Sequence, residues 1–493
     1  MSQYIKKSLR TSIVNYVGLF LGGISVLFIQ TTFLTESEIG YLRTILSLSL
    51  IFVPFLLIGL DNSLIKFYHR FNNTKVEYNQ FITLALIIPL ILFLIFISSS
   101  YIYFEFSNEV NSNLKVFKES FYIITLFLFY NIYYSQIKAL YFIEKKILLP
   151  NLLSDIFLRS YLVFLVVIYY FNFINFTQLV YIYAFFHLLN LFFLALKLFK
   201  SIEFKFSVNL KLFFDKRFKD IYKFSGILLF GSMSGVIVSQ LDIIMTGSIT
   251  NSMANVGIYT VAFFIGSLIE LPKRPLLQLI APDISKYFST KEEHKVDLLY
   301  KKTSLNLFIL GILLSLLLWY NVDFIFSTIP NGEVYSAGKY VIFFIALAKL
   351  FDLSMGINSE IILYSKLYKW NLLLSPLLVV LTISTNVFFI NKYGIIGASI
   401  ATAITILCYN MFRSVLVYVK LKMTAITIKH LQIILICIPG VFILESINMS
   451  NLFLESIVNV TIVFLLIFLP IFLLKISKDL NDLVYILLKA IKR

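Results

Sequence analysis

The sequence predicts an all-α polytopic membrane protein with 14 transmembrane helices: two six-helix lobes related by a parallel repeat, plus two extra C-terminal helices. Three observations lead there. Of 493 residues, 59% are hydrophobic and 17% aromatic, and mean hydropathy is +0.89, too apolar for a soluble chain of this length. Fourteen apolar stretches divide the chain into connectors that alternate between Lys/Arg-rich and acidic or neutral. Segments of the first half also reappear in the second at a nearly constant offset.

A spanning helix needs about 20 mostly apolar residues. Spans are expected near 12–34, 40–65, 80–103, 120–137, 150–171 and 177–196, then near 224–249, 256–281, 303–322, 337–359, 371–391, 394–419, 430–444 and 452–474. The thirteenth is the shortest and carries Pro439. Residues 1–10 and every second connector after them hold 32 of the 42 basic residues, whereas the intervening connectors hold Lys115, Lys118 and Lys392 against nine carboxylates. Cytoplasmic loops retain Lys and Arg, so both termini are expected in the cytoplasm. The net charge of +16 then reflects basic connectors beside anionic headgroups, and no nucleic acid partner is expected. No small-residue cleavage site follows the first apolar stretch, so that span reads as retained.

These boundaries give an N-lobe of spans one to six (1–196), a basic cytoplasmic linker (197–223), a C-lobe of spans seven to twelve (224–419), spans thirteen and fourteen (420–474) and a cytoplasmic tail (475–493). The tail places Leu480, Leu483, Val484, Leu487 and Leu488 on one helical stripe, as a basic amphipathic helix on a membrane surface would. The repeat lays 38–60 over 255–277 with Gly40 over Gly257, an offset of 217, and the segment from 151 over the segment from 371, an offset of 220. Six spans per repeat make the repeats parallel, related by an axis along the membrane normal, an architecture that suits alternating access to a site between them. Gly231, Gly235 and Ser239 in span seven, and Gly18 and Gly22 in span one, have the spacing of close helix packing.

Twelve ionisable side chains fall inside spans: Arg43, Asp61, Asp155, Arg159, Asp242, Glu270, Lys273, Arg274, Lys339, Lys349, Asp352 and Arg413. Each costs roughly 2.5–3.5 kcal/mol at mid-bilayer, so they should face protein or water. Helical spacing puts Asp155 with Arg159, Glu270 with Arg274, and Lys349 with Asp352 on shared faces, as internal salt bridges or as parts of a site. In LPKRP, 271–275, two prolines bracket Lys273 and Arg274, so span eight is expected either to break there around a cavity or to end near Pro272. Cys408 and Cys437 lie inside spans and the four histidines have no ligand spacing, so no disulfide, metal site or cofactor is expected.

The segments LTESEIGYLRTILSL (34–48), LIGLDNSLIKFY (57–68), SQLDIIM (239–245), NVGIYTVA (255–262), LIAPDIS (279–285) and KYGIIGASIATAI (392–404) resemble, in order and spacing, the polysaccharide biosynthesis branch of the multidrug/oligosaccharidyl-lipid/polysaccharide flippase superfamily, which includes Wzx-type O-antigen flippases. The resemblance implies a multi-pass protein of the bacterial inner membrane. It would flip polyprenyl-pyrophosphate-linked oligosaccharide from the inner to the outer leaflet by alternating access, for O-antigen, capsule or exopolysaccharide assembly. Cationic cavity residues would engage the pyrophosphate, a role that Arg43, Arg159, Lys273, Arg274, Lys349 and Arg413 fit in kind. Asp61, Asp155, Asp242, Glu270 and Asp352 are candidates for charge pairing or for coupling to a cation, H+ or Na+. Membrane lipids are expected partners, and spans thirteen and fourteen could form a groove for the lipid tail. The alternative is a cation-coupled multidrug antiporter of the same superfamily, which would favour an acidic cavity. A membrane glycan polymerase or ligase is disfavoured, since the outer connectors carry neither His nor Arg and no phosphate-binding glycine loop is present. The chain is therefore expected to be no enzyme.

Overall fold

The computed structural model describes residues 14–71, 74–106, 112–209 and 216–491, and among these every regular element is helical. In chain order the helices are α1 (Val14–Phe33), α2 (Glu36–Leu57), α3 (Leu60–Phe67), α4 (Lys75–Phe106), α5 (Ser112–Glu119), α6 (Phe121–Ile143), α7 (Leu148–Tyr170), α8 (Phe176–Ser201), α9 (Lys216–Thr250) and α10 (Met253–Ser267). There follow α11 (Lys273–Ser289), α12 (Glu293–Tyr320), α13 (Val322–Thr328), α14 (Gly332–Ser354), α15 (Asn358–Tyr364), α16 (Lys366–Leu421), α17 (Ile428–Glu445), α18 (Leu452–Leu473) and α19 (Lys478–Ile491). Eleven helical stretches among the described residues are long and apolar enough to cross a membrane. One of the eleven is α16, whose interior Gly394 (φ 57°, ψ −132°) is non-helical and separates the stretches expected as spans eleven and twelve. Only glycine tolerates that backbone without strain. Two further expected spans fall on α6 and α9.

The chain divides into two compact units, Met1–Thr260 with Ser375–Ile383, and Val261–Leu374 with Ser384–Arg493. In the first, α2 packs along α9 and α6, α6 along α8, and α1 along α7. Its core runs from Leu60, Leu64 and Phe67 to Phe71, Phe81 and Phe218, where Phe71 stacks on Phe81 at 4.4 Å. The ends of these helices are set by their own side chains. Thr35 and Glu38 form a capping box that starts α2, and Asn175 and Gln178 form one that starts α8.

The repeat acquires a physical counterpart where α2 meets α10. A Cβ on Gly40 would fall on the carbonyl oxygen of Met253, and a Cβ on Gly257 would fall on that of Glu36. Glu36 and Met253 stand 217 apart, as Gly40 and Gly257 do, so each repeat presents the same two positions to the other. Residue i of one meeting residue j of the other, and j meeting i, is the contact that a two-fold axis produces. Each repeat also interrupts its second helix. The first turns left-handed at Ile58 and Gly59 before α3, and the second tightens to a 3-10 turn at Leu268–Glu270 before α11.

In the second unit α12 packs along α14, with α17 and α18 on another face. Buried Ile309, Ile433, Cys437 and Ile467 join α12, α17 and α18, and Gly440 lets α17 approach Ile467. Polar bonds reinforce this seam: Ser304 with His430 Nε2 (3.0 Å), and Asn459 Nδ2 donating to the Tyr320 carbonyl (2.7 Å). Cys408 and Cys437 are both free thiols.

Expected packing by small residues holds at one place and fails at another. Gly18 and Gly22 lie directly against Asp155 and Arg159 of α7, whereas among the described residues nothing outside its own helix comes within 4 Å of a Cβ placed on Gly235. Ser239 is exposed and bonds within its own helix, donating to the Val236 carbonyl and accepting from Gln240 Nε2, and Gly231 lies outside the described side chains. The four-residue spacing in span seven is therefore no packing seam at Gly235, because helical period alone does not say which face a neighbour covers.

Candidate functional site: two buried clusters of charged groups

In the first unit the charged groups gather where α1, α2, α6, α7 and α8 meet. Arg159 leaves α7 and donates to the main-chain carbonyl of Gly18 in α1, its guanidinium passing over Gly22, where any side chain would collide with it. Glycine is required there because the guanidinium occupies the space of a Cβ. Arg43, on α2, has its Nε buried without a hydrogen-bond partner. Tyr183, on α8, lies within electrostatic reach of both arginines and edge-on to His187 at 4.4 Å.

The expected helical pair Asp155–Arg159 does not form. Residues Leu152–Phe157 make a π-turn, which widens the repeat from i→i+4 to i→i+5 and takes Asp155 off the face of Arg159. Asp155 instead accepts from Ser154 Oγ (3.2 Å). Lys138, on α6, stands within electrostatic reach of Asp155 and 5.6 Å from the Tyr134 ring centroid. Sequence reading placed Lys138 in a connector. Helix α6 in fact continues to Ile143, six residues past the expected end of span four, and carries Lys138 into the bundle. Its spacing of seven from Asn131, on the polar stripe that also includes Ser135, was the available signal.

Two more acids of this unit sit apart. Asp61, in the first turn of α3, accepts from Ser135 Oγ (2.8 Å), and Asp242, buried on α9, accepts from Tyr259 OH (3.2 Å). A cleft of about 300 Å³ lined by Glu38, Tyr41, Phe176 and Met253 holds none of the expected residues.

In the second unit the helix is interrupted at LPKRP, and the apolar stretch that begins at Met253 ends at Glu270, just before Pro272. α10 and its 3-10 extension end at Glu270, Leu271–Pro272 turns, and α11 starts on Lys273. Lys273 Nζ meets Asp352 Oδ2 on α14 at 2.5 Å, and Asn410 Nδ2 on α16 donates to Asp352 Oδ1 at 3.0 Å. Lys349, one turn before Asp352, pairs with Glu270. The expected Glu270–Arg274 pairing loses its helical basis at the break, and the side chain of Arg274 lies outside the described residues. Lys349 and Asp352 do share a face, yet each bonds across to the neighbouring segment. Arg413 is not part of an ion pair among the described residues. Its Nη2 donates to Tyr409 OH (2.9 Å), the guanidinium stacks 4.0 Å from that ring centroid, and its Nε is buried without a partner. Lys339, expected inside a span, reaches back to Asp323 at 2.7 Å near the start of α14, half-exposed.

The six expected cations thus differ. Arg159 donates to a main-chain oxygen, Arg413 stacks on Tyr409 and Arg43 lies within electrostatic reach of Tyr183, with no carboxylate in ion-pair range of any of the three among the described residues. Lys273 and Lys349 are already neutralised. No group of three metal-binding side chains comes together among the described residues.

A family model described as polysaccharide biosynthesis protein matches residues 5–288, more than half of the chain. The chain belongs to that polysaccharide biosynthesis family. Among solved structures, a "Lipid II flippase MurJ, inward closed conformation" superimposes with a TM-score of 0.75 at 14% identity, covering 96% of this chain and 99% of that one. An "Inward-facing conformation of a multidrug resistance MATE family transporter of the MOP superfamily" gives 0.55 at 14% identity over 84% and 94% of the two chains. A "MATE in complex with MaL6" gives 0.53 at 14% identity over 85% and 96%. Comparison with curated proteins finds no match. At these identities the structural likeness shows the fold, that of MurJ and the MATE transporters, and the apolar helices make this family member a multi-pass membrane protein.

Proposed function

We propose that this polysaccharide biosynthesis protein flips polyprenyl-diphosphate-linked oligosaccharide from the cytoplasmic to the outer leaflet by alternating access. The observation that carries the reading is the state of its arginines. Burying a guanidinium with no carboxylate nearby is costly and persists where an anion is to be received. Arg43, Arg159 and Arg413 are partly buried with no carboxylate in ion-pair range among the described residues, and the planar fork of each matches phosphate oxygens bidentately. Tyr183 lies within electrostatic reach of two of them and Tyr409 stacks on the third, and neither neutralises the charge. Family membership supplies the saccharide, and the MurJ-like fold supports a lipid-linked one.

The test is deletion of the gene followed by extraction of lipid-linked saccharide. Repeat units accumulating on the inner leaflet, with surface polysaccharide lost, agree with the proposal. An Arg43→Ala/Arg159→Ala variant should reproduce that loss at normal protein level, while Arg159→Lys should recover less than a tenth of transport because an ammonium offers no bidentate fork. Normal export in the double variant removes these arginines as ligands.

A further inference from the structure

The two ion pairs of the second unit form one figure. Glu270 and Lys273 are three residues apart on one segment, and Lys349 and Asp352 are three apart on the other. Glu270 faces Lys349, Lys273 faces Asp352, and both crossings join residues 79 apart, as parallel segments in register require. Every corner of this square therefore has an opposite charge both along its own segment and across from it, and the whole is neutral. An anion approaching it is not attracted by net charge. It can reach a lysine only by taking that lysine from a carboxylate.

The corners are unequal. Asp352 keeps Lys273, the donor Asn410, itself held by Asn358 Nδ2 at 2.9 Å, and the nearby charge of Lys349. Glu270 has Lys349 as its one hydrogen-bonding partner among the described residues. The Lys273 side chain is 9% exposed, against 18% for Lys349, 20% for Asp352 and 24% for Glu270, so of the two lysines Lys349 is the more accessible. Behind the square, Leu307 and Leu314 of α12 pack with Ile269, Leu276, Ala346 and Leu353, and α16 supplies neutral Asn410 with Arg413 one turn further along, stacked on Tyr409.

We infer that Lys349 exchanges between Glu270 and an incoming diphosphate, and that Glu270 takes up a proton when the lysine departs. This rests on the flippase reading above for its anion and adds the coupling step. Lys349 stays an ammonium and moves from a carboxylate oxygen to a phosphate oxygen. One solvent proton binds the Glu270 carboxylate, and on release of the diphosphate the lysine returns and that proton leaves. Lys273 and Asp352 remain paired throughout and hold the two segments in register. A proton is thereby carried with the anion by a site that contains no unpaired acid at rest.

The experiment adds undecaprenyl diphosphate to the purified full-length protein in lightly buffered nanodiscs, reading bound ligand by calorimetry and proton uptake by an indicator dye. The wild type should take up about one proton more per bound diphosphate than Glu270→Gln, which should still bind. Glu270→Gln/Lys349→Gln, which removes both charges of the edge, should bind at least threefold more weakly and likewise lack the extra proton. Equal uptake by wild type and Glu270→Gln would overturn the exchange while leaving the flippase reading intact. Absence of binding by the wild type would overturn both.

Discussion

A buried ammonium beside a carboxylate adds little net stability over an apolar pair, whereas removing one partner strands the other at a cost of about 3–5 kcal/mol. Lys273 and Asp352 are such a pair, with Lys273 7% exposed. Lys273→Met should therefore lower stability by about 3 kcal/mol or more, and Lys273→Met/Asp352→Leu should recover most of it, as thermal unfolding in detergent would read. A fall in the double variant equal to the sum of the single changes would show that the two groups do not interact. Residue identity was legible in the sequence and depth was not: Glu270, Lys273, Lys349 and Asp352, expected inside spans eight and ten, fall near or just past the ends of the apolar stretches Met253–Glu270 and Gly332–Ser354. Pairing was not, because it depends on how one helix registers against another. Glu270 pairs with Lys349, its helical spacing to Arg274 being lost where the helix breaks, and Asp155 misses Arg159 because a π-turn changes the local period.

Helix crossings make sharper demands than helix formation does. At Gly40 and Gly257 a methyl group would occupy the place of a carbonyl oxygen, so Gly40→Ala and Gly257→Ala should each cost about 1–3 kcal/mol of stability. The double variant should cost less than the sum, since the first substitution already separates α2 from α10. Gly235→Ala, which meets nothing within 4 Å, should be neutral or stabilising by up to about 1 kcal/mol through helix propensity. Thermal shifts of these variants side by side would expose a wrong assignment of either crossing. The repeat offset announced the first crossing; nothing in the spacing of Gly231, Gly235 and Ser239 distinguished an open face from a seam. The tail helix α19 is attached by a different device. Its Asp479 is partly buried, which opposes ionisation, but hydrogen bonds from Lys302 and Asn306 outweigh this and hold its carboxyl below the ordinary range. A depressed carboxyl contributes stability that is complete above its unfolded value and is lost as pH falls through the folded one. Protection factors of amides in 478–491, with exchange corrected for its intrinsic pH dependence, should thus fall as pH is lowered past that range, and Asp479→Asn should show the lower protection already at neutral pH.

For the molecule as a whole, the alternation of charge along the chain assigns each connector an expected side before any coordinate is known. Alternation resists small errors, because shifting one helix end by a few residues changes no connector's sign; Lys138 moved from connector to helix without altering the pattern. The resulting orientation can be read with single cysteines in a background of Cys408→Ala and Cys437→Ala. Glu105→Cys and Ser336→Cys occupy exposed positions in or beside acidic connectors, and Lys145→Cys and Thr290→Cys occupy exposed positions in basic ones. In intact cells a membrane-impermeant maleimide should label the first two, and the second two should react only after permeabilisation. All four reversed would place both termini outside and turn the proposed direction of flipping around. A mixed pattern would break the alternation itself, since no arrangement of helices crossing one after another puts connectors of like charge on opposite faces.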